Sequence, residues 1–232
     1  PALVPLNDDR IQAKFVVQRI RDLIEEGTDP SEIAVLYRAH FHSMELQMEL
    51  TRGEIPFRIT SGIRFFEQAH IKDVVAFMRF VVNPRDELSF RRMVMLLPGI
   101  GPGMAQKLWI RWTACPESRQ ETPPESFSAL MLDFPVPAKS RTAWTQLCYT
   151  LDELAPAGKL AGPASMLLSI NEAVYDEYMQ AAFENYDQRR QDLLHLAGFS
   201  ERFESTEDFL SQLSLLGNTD DESAAADLSG GA

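Results

Sequence analysis

The spacing of apolar residues predicts two kinds of secondary structure, with a change between them near Gly62. Before this point, helical spacing predicts one helix over residues 9–26 and a second over 43–51. Each is followed by an apolar run of strand length, at 33–37 and at 55–60. This order of helix, strand, helix and strand suits two parallel strands joined by a crossover connection.

After Gly62 the pattern becomes almost wholly helical, with proline-rich breaks between several segments. Helices are predicted over 70–82, 86–97, 102–114, 124–133, 138–154, 163–183, 185–203 and 205–216. Residues 217–232 are rich in Asp, Ser, Ala and Gly, and are predicted to be a flexible linker or a ragged end. Two parallel strands alone do not make a stable sheet, so the pattern indicates a piece of a larger protein.

Charge is divided unevenly along the chain. The formal net charge is −12, which taken alone argues against nucleic acid as a partner. Between Arg52 and Arg111, however, ten Lys and Arg residues stand against five Asp and Glu residues. Because a phosphate backbone responds to the local field, this segment predicts a basic, DNA-binding face that includes Arg91 and Arg92. A set of ordinary solvated helix faces would give the same composition, and that alternative stays open here.

The segment 96–108 carries the most specific local motif, Leu-Leu-Pro-Gly-Ile-Gly-Pro-Gly-Met-Ala-Gln-Lys-Leu, between two predicted helices. It resembles a helix-hairpin-helix turn, in which glycines with positive φ let successive backbone amides face one phosphate oxygen. The second helix begins at this turn and adds the partial positive charge of its N-terminus. The candidate DNA-binding residues are Gly99, Gly101 and Gly103, the inward-pointing Ile100, and Lys107. The alternative is a glycine corner that only lets two helices pack.

The sequence contains no recognisable catalytic motif. It has no phosphate-binding loop of the form G-x-x-x-x-G-K-[ST], and no Walker-B Asp-Glu pair follows a buried strand. Two cysteines, Cys115 and Cys148, and four scattered histidines show no metal-ligand spacing. No apolar run approaches the roughly 18–20 residues that span a bilayer, and no signal peptide opens the chain. We therefore expect a cytoplasmic protein with reduced thiols, no membrane contact, and no cofactor or metal bound to this chain.

Several short motifs in a fixed order resemble the UvrD/Rep/PcrA-type superfamily 1 DNA helicases. They are Ile-Ala-Val-Leu-Tyr-Arg at 33–38, Ile-Pro-Phe-Arg-Ile at 55–59, Ser-Gly-Ile-Arg-Phe-Phe-Glu at 61–67, Ile-Lys-Asp at 71–73 and Asn-Pro-Arg-Asp at 83–86. The Gly-Ile-Gly turn falls where that family has its own such turn, in the subdomain called 2B. The resemblance spans residues 8–216 and is strongest over 30–110. One departure is His70, which stands where the family has an acidic residue before Ile-Lys-Asp.

The resemblance implies a fold and a domain division. Residues 1–82 would be the first part of the RecA-like domain 2A, with a partial parallel sheet, and 83–216 would be the mostly helical 2B insertion. The implied DNA contacts in the first part are Arg38, Arg64, Phe65 and Lys72. Arginine suits phosphate, and an aromatic ring can stack on a base. Two alternatives stay open: core packing for Phe65, and an ion pair between Lys72 and Asp73.

The implied function is that of a fragment of an ATP-dependent 3′-to-5′ DNA helicase that contacts single-stranded and duplex DNA at a junction. Its further partners would be domains 1A and 1B and the rest of 2A. ATP and Mg would bind to the parent protein, and the fragment alone is expected to be inactive. Two alternatives remain: a free-standing DNA-binding adaptor of the helix-hairpin-helix type, and an inactive helicase-like regulator.

Overall fold

Among the residues that the structure describes, the regular secondary structure is helical. The computed structural model describes residues 2–38, 40–59 and 65–218, and these ranges contain eleven α-helices. They are α1 (Asp9–Glu25), α2 (Met44–Arg52), α3 (Ala69–Val82), α4 (Glu87–Val94), α5 (Pro102–Thr113), α6 (Phe127–Met131), α7 (Arg141–Leu154), α8 (Pro163–Ile170), α9 (Asp176–Ala182), α10 (Tyr186–Ser200) and α11 (Thr206–Asn218).

Local chemistry explains where several helices begin and end. The Asp8 carboxylate accepts a hydrogen bond from the Ile11 amide at 2.7 Å, and so caps the first turn of α1. Gly27, with φ of +94°, follows the end of that helix. Asp86 caps α4 in the same way through the Ser89 amide at 3.0 Å. The helices that were predicted before and after Gly62 are therefore confirmed as helices, although their ends differ by a few residues.

The two predicted strands are wrong for the residues that the structure describes. Neither 33–37 nor 55–59 is a strand, so the expected partial RecA-like parallel sheet is not found, and Thr60 lies outside the described ranges. The side chain of Leu36 is 94% exposed, and Val35 and Tyr37 are also exposed. An apolar run becomes a doubly buried strand only when neighbouring strands accept its backbone hydrogen bonds and other layers cover its faces. The described residues supply neither.

The chain divides into two units, Pro1–Gln68 with Leu213–Ala232, and Ala69–Gln212. In the first unit α1 packs on α2, and a small core forms around Val17, Ile20 and Leu50. Partly buried apolar residues pack against this core, among them Val16, Ile24, Ile33, Leu46, Ile55 and Phe57. The assignment of residues 1–82 and 83–216 to helicase subdomains 2A and 2B stays a prediction, because compactness does not test it.

An aromatic cluster forms the core of the second unit where α3, α4, α5 and α6 meet. The ring of Phe80 lies 5.2 to 5.6 Å from the rings of Phe90, Trp112 and Phe127, and all four side chains are fully buried. The Trp112 indole N–H donates to the Pro84 carbonyl at 2.8 Å, which satisfies its polar group. This cluster fixes α4 against α5 and so fixes the turn between them.

The helix predicted over 163–183 is interrupted in its middle. Helix α8 passes into a π-helical turn, Asn171–Tyr175, before α9 begins. A π turn inserts one extra residue per turn and rotates the following side chains. Tyr175, at the end of this turn, is buried and its hydroxyl reaches the Asp73 carboxylate of α3 at 2.6 Å. Among the described residues, no helix has both the length and the apolar character to cross a membrane.

Candidate nucleic-acid interface

The turn between α4 and α5 has an apolar base and an exposed glycine tip. Leu97 and Ile100 are each 4% exposed, so Ile100 points inward as predicted. Gly99 has φ of +80°, whereas Gly101 has φ of −96° and ψ of −178°. The prediction of a positive φ at Gly101 is therefore wrong. Gly101 precedes Pro102 and caps α5, and both positions favour extended backbone.

The backbone of this tip is open to an approaching anion. Gly101 and Gly103 are exposed, and a Cβ built on either glycine would have no atom within 4 Å. The Gly101 carbonyl accepts the amides of Met104 at 3.0 Å and Ala105 at 2.9 Å. The Gly103 amide lies in the first turn of α5, where no carbonyl of the same helix precedes it by four residues. The tip therefore combines unhindered amides with the partial positive charge of a helix N-terminus.

The cations of the two hairpin helices differ in how they are engaged. Lys107 and Arg111 are exposed on α5, four residues apart and so on one face of the helix. Arg91 on α4 lies 3.4 Å from the Glu87 carboxylate, one turn earlier. Such a surface pair contributes little stability and is readily exchanged for another anion. Lys107 and Arg111 are therefore accessible to an anion from solvent, and Arg91 would have to exchange only a surface partner.

Arg92 is held instead by a buried carboxylate and a backbone carbonyl. Its Nε donates to Asp73 Oδ1 at 2.7 Å, and its Nη2 donates to the Ala69 carbonyl at 3.3 Å. The other carboxylate oxygen of Asp73 accepts from the Tyr175 hydroxyl. Burial, followed by the nearby Asp73 charge, raises the pKa of Tyr175, so the phenol stays a donor. Asp73 thus pairs with Arg92 rather than with Lys72, which is exposed on α3.

The candidate residues of the first unit are placed as follows. Arg38 is exposed at a bend that follows the irregular segment 33–37. Phe65 is fully buried, and its ring packs edge-on against Phe66 with centroids 5.2 Å apart. That placement corresponds to the core-packing alternative for Phe65. Arg64 lies outside the described residues.

Sequence reasoning missed one cation at the hairpin tip. Lys139 is exposed in the 3-10 turn Ala138–Ser140 that leads into α7, and its side chain crosses Gly99. The neighbouring Ser140 hydroxyl donates to the Pro98 carbonyl at 2.6 Å. Nothing local in the sequence pairs these two segments, because they lie some forty residues apart and are joined by a proline-rich break.

A second polar network, around His70, is buried away from the hairpin tip. The Arg189 guanidinium lies 2.8 Å from His70 Nδ1, and the Asp192 carboxylate lies 3.2 Å from His70 Nε2. Because a guanidinium only donates, His70 Nδ1 is the acceptor in its contact with Arg189. These contacts tie α3 to α10. In the ranges that the structure describes, no group of three or more His, Cys, Asp or Glu side chains could hold a metal ion.

Comparison with known proteins places the chain in a family. The family model described as the UvrD-like helicase C-terminal domain matches residues 5–214, so the chain belongs to this family.

Its relatives include proteins that are themselves named DNA helicases. The chain is 41% identical over 83 residues to DNA helicase II of Haemophilus influenzae, and 39% identical over 83 residues to DNA helicase II of Escherichia coli. It is 31% identical over 101 residues to the ATP-dependent DNA helicase PcrA of Staphylococcus epidermidis. These alignments cover 36%, 36% and 43% of this chain, but only 11%, 12% and 14% of the three relatives.

Proposed function

We propose that this chain is a DNA-contacting part of an ATP-dependent 3′-to-5′ DNA helicase, and that the hairpin tip binds the phosphate backbone of duplex DNA near the junction. The carrying observation is the exposed glycine tip at the start of α5, with Lys107 on the same helix, in a chain of the UvrD-like family. Such a site recognises phosphate and shape rather than base sequence.

The rest of the proposal concerns the parent protein. Residues 83–216 correspond to subdomain 2B, and residues 1–82 to the beginning of 2A in the order of the family. ATP and Mg bind to other helicase domains of the parent, because this sequence has no phosphate-binding loop to hold them. Single-stranded DNA contacts are proposed for Arg38 and Lys72, each of which is an exposed cation within residues 1–82.

The DNA-binding part is tested with the purified chain and a short fluorescein-labelled duplex. Fluorescence anisotropy should give a dissociation constant of about 10⁻⁴–10⁻⁶ M, and the affinity should fall as the salt concentration rises from about 50 to 200 mM. Lys107→Gln should lower the affinity and reduce the salt slope by about 0.9. Lys159→Gln is the matched control, because Lys159 is an exposed lysine of the same unit before α8. Affinity that does not change with salt, or equal effects of the two variants, would contradict the proposed site.

The enzymatic part is tested by comparing this chain with the parent protein. The parent should hydrolyse ATP in a DNA-stimulated manner and unwind a duplex that carries a 3′ single-stranded tail. This chain alone should show neither activity. DNA-stimulated ATP hydrolysis by the purified chain would contradict the proposal, because the sequence has no recognisable phosphate-binding loop. A parent that binds DNA without hydrolysing ATP would instead favour the inactive-regulator alternative.

A further inference from the structure

We propose that Lys139 is a second phosphate-binding cation of the hairpin tip, and that Ser140 is the residue that positions it. The proposal rests on the proposed DNA-binding function of the tip, which it extends to a segment outside the helix-hairpin-helix motif. It assigns the hairpin a cation from each side: Lys107 from α5 and Lys139 from the turn before α7.

The first observation is the close approach of Lys139 to Gly99. A Cβ built on Gly99 would lie 1.8 Å from Cε of Lys139 and 2.8 Å from its Nζ. The lysine side chain therefore occupies the space that any other residue at 99 would fill. Its ammonium group lies beside the glycine turn, within a few ångströms of the backbone that is proposed to meet the phosphate.

The second observation is that the backbone around Lys139 is fixed on both sides. Ser140 is fully buried, and its hydroxyl donates to the Pro98 carbonyl, directly before Gly99. On the other side, the Arg141 guanidinium donates to the carbonyls of Leu132 at 3.3 Å and Phe134 at 3.4 Å. The 3-10 turn is thus tied to the tip, while Lys139 itself remains exposed. A cation held at its base loses less conformational entropy when it binds an anion.

The third observation is electrostatic. Arg91 and Arg92 each have a carboxylate partner, Glu87 and Asp73 respectively, which offsets part of their attraction for phosphate. Lys139 crosses a turn made of Pro98 to Gly101, which carries no charged side chain. The competing explanation is that the apolar stem of Lys139 merely covers the turn while the ammonium stays in water. A DNA-binding measurement distinguishes phosphate binding by Lys139 from mere covering of the turn.

The experiment compares Lys139→Gln with Lys159→Gln in the whole chain, with the same labelled duplex. Loss of one phosphate contact should reduce the salt slope by about 0.9. The change in affinity between about 50 and 200 mM salt should therefore be about threefold smaller for Lys139→Gln than for the unsubstituted chain. Lys159→Gln should have the same salt slope as the unsubstituted chain. Equal salt slopes for Lys139→Gln and the unsubstituted chain would overturn the inference.

Ser140→Ala tests the positioning role. This variant should weaken DNA binding when Lys139 is present, and should cause no further loss when it is combined with Lys139→Gln. Equal losses in both backgrounds would show that Ser140 acts on the fold alone and would overturn its assignment. The outcome for Lys107→Gln separates the two proposals: if that variant weakens binding and Lys139→Gln does not, the hairpin site stands and the inference fails. If the unsubstituted chain does not bind the duplex at all, both the hairpin site and the inference about Lys139 fail.

Discussion

The three glycines of the hairpin tip should respond very differently to the same substitution, alanine. Gly99 has a left-handed φ of +80°, and a Cβ there would collide with the side chain of Lys139. Gly101 has extended backbone and open surroundings, and Gly103 lies inside the first turn of α5 with equally open surroundings. The added atom is the same in each case, so the differences report backbone conformation and local contacts.

The magnitudes follow from these conformations. A left-handed backbone costs a residue with a Cβ about 1–2 kcal/mol, so Gly99→Ala should lower the free energy of unfolding by about that amount. Displacing the flexible end of Lys139 adds little. Gly101→Ala should change stability by less than about 0.5 kcal/mol, because the loss of a preferred N-cap residue is offset by the lower conformational entropy of the unfolded chain. Gly103→Ala should raise it by up to about 1 kcal/mol, because alanine favours the helix.

Urea unfolding followed by tryptophan fluorescence measures these changes, since all three tryptophans, Trp109, Trp112 and Trp144, lie in the second unit. With a slope of about 2 kcal/mol per molar urea, Gly99→Ala should lower the midpoint by about 0.5–1 M. The reasoning is refuted if Gly99→Ala unfolds at the same urea concentration as Gly101→Ala, or if Gly101→Ala is the more damaging of the two.

Four further predictions concern side chains of the second unit. Tyr175→Phe should lower the free energy of unfolding by about 1–3 kcal/mol in urea titrations, because it leaves one oxygen of the buried Asp73 without its donor; an unchanged midpoint would contradict this. Burial, and then the charge of Asp152, raises the pKa of the Cys148 thiol from 9.0 to about 12, so the stability that it contributes is present below pH 9 and is lost as the pH rises towards 12. That loss should reach about 1.4 kcal/mol at pH 10, and Cys148→Ala should reduce the fall in urea midpoint between pH 8 and pH 10 rather than leave it unaltered. In native protein at pH 8, a disulfide reagent should label the partly exposed Cys115 well before Cys148, and equal rates would refute the assigned burial. Asp152→Ala should cost about 1–2 kcal/mol in thermal or urea unfolding, because its carboxylate accepts the first amides of α6; a loss no larger than that of a surface alanine substitution would show that the cap is dispensable.

The helices could be predicted because their signals are local. Apolar residues recur at helical spacing, and glycine, proline and capping aspartates mark the ends, so sequence alone locates α1 to α5 within a few residues. The strands failed for the opposite reason. The run 33–37 has the composition of a buried strand, but a strand is defined by its neighbours, and the exposed Leu36 shows that the described residues do not provide them.

In the hairpin, too, the features that depend on adjacent residues could be predicted, and those that depend on distant residues could not. The Gly-Ile-Gly motif predicts the turn and the burial of Ile100, since both depend on adjacent residues. The motif also predicts positive φ at the glycines of the turn, which Gly99 has, whereas Gly101 is extended because Pro102 follows it. The engagement of Arg92 by Asp73 and the approach of Lys139 to Gly99 depend on contacts across nineteen and forty residues, which no periodic pattern encodes.

The charge distribution determines how such a hairpin can contribute to the function of a helicase. The chain has a net charge of −12, yet Lys139 crosses the glycine turn and Lys107 is exposed on the helix that begins there. At about 0.1 M salt the repulsion between the acidic remainder and DNA is largely screened beyond about 10 Å, whereas a direct ammonium–phosphate contact survives. Two such contacts give a salt slope of only about 1.8, too small for tight binding by this chain alone. In the proposed parent protein, other domains hold the same DNA, which raises the effective concentration of the duplex at the tip. Weak, shape-dependent contacts of this kind suit a surface that must release and rebind a duplex as it moves.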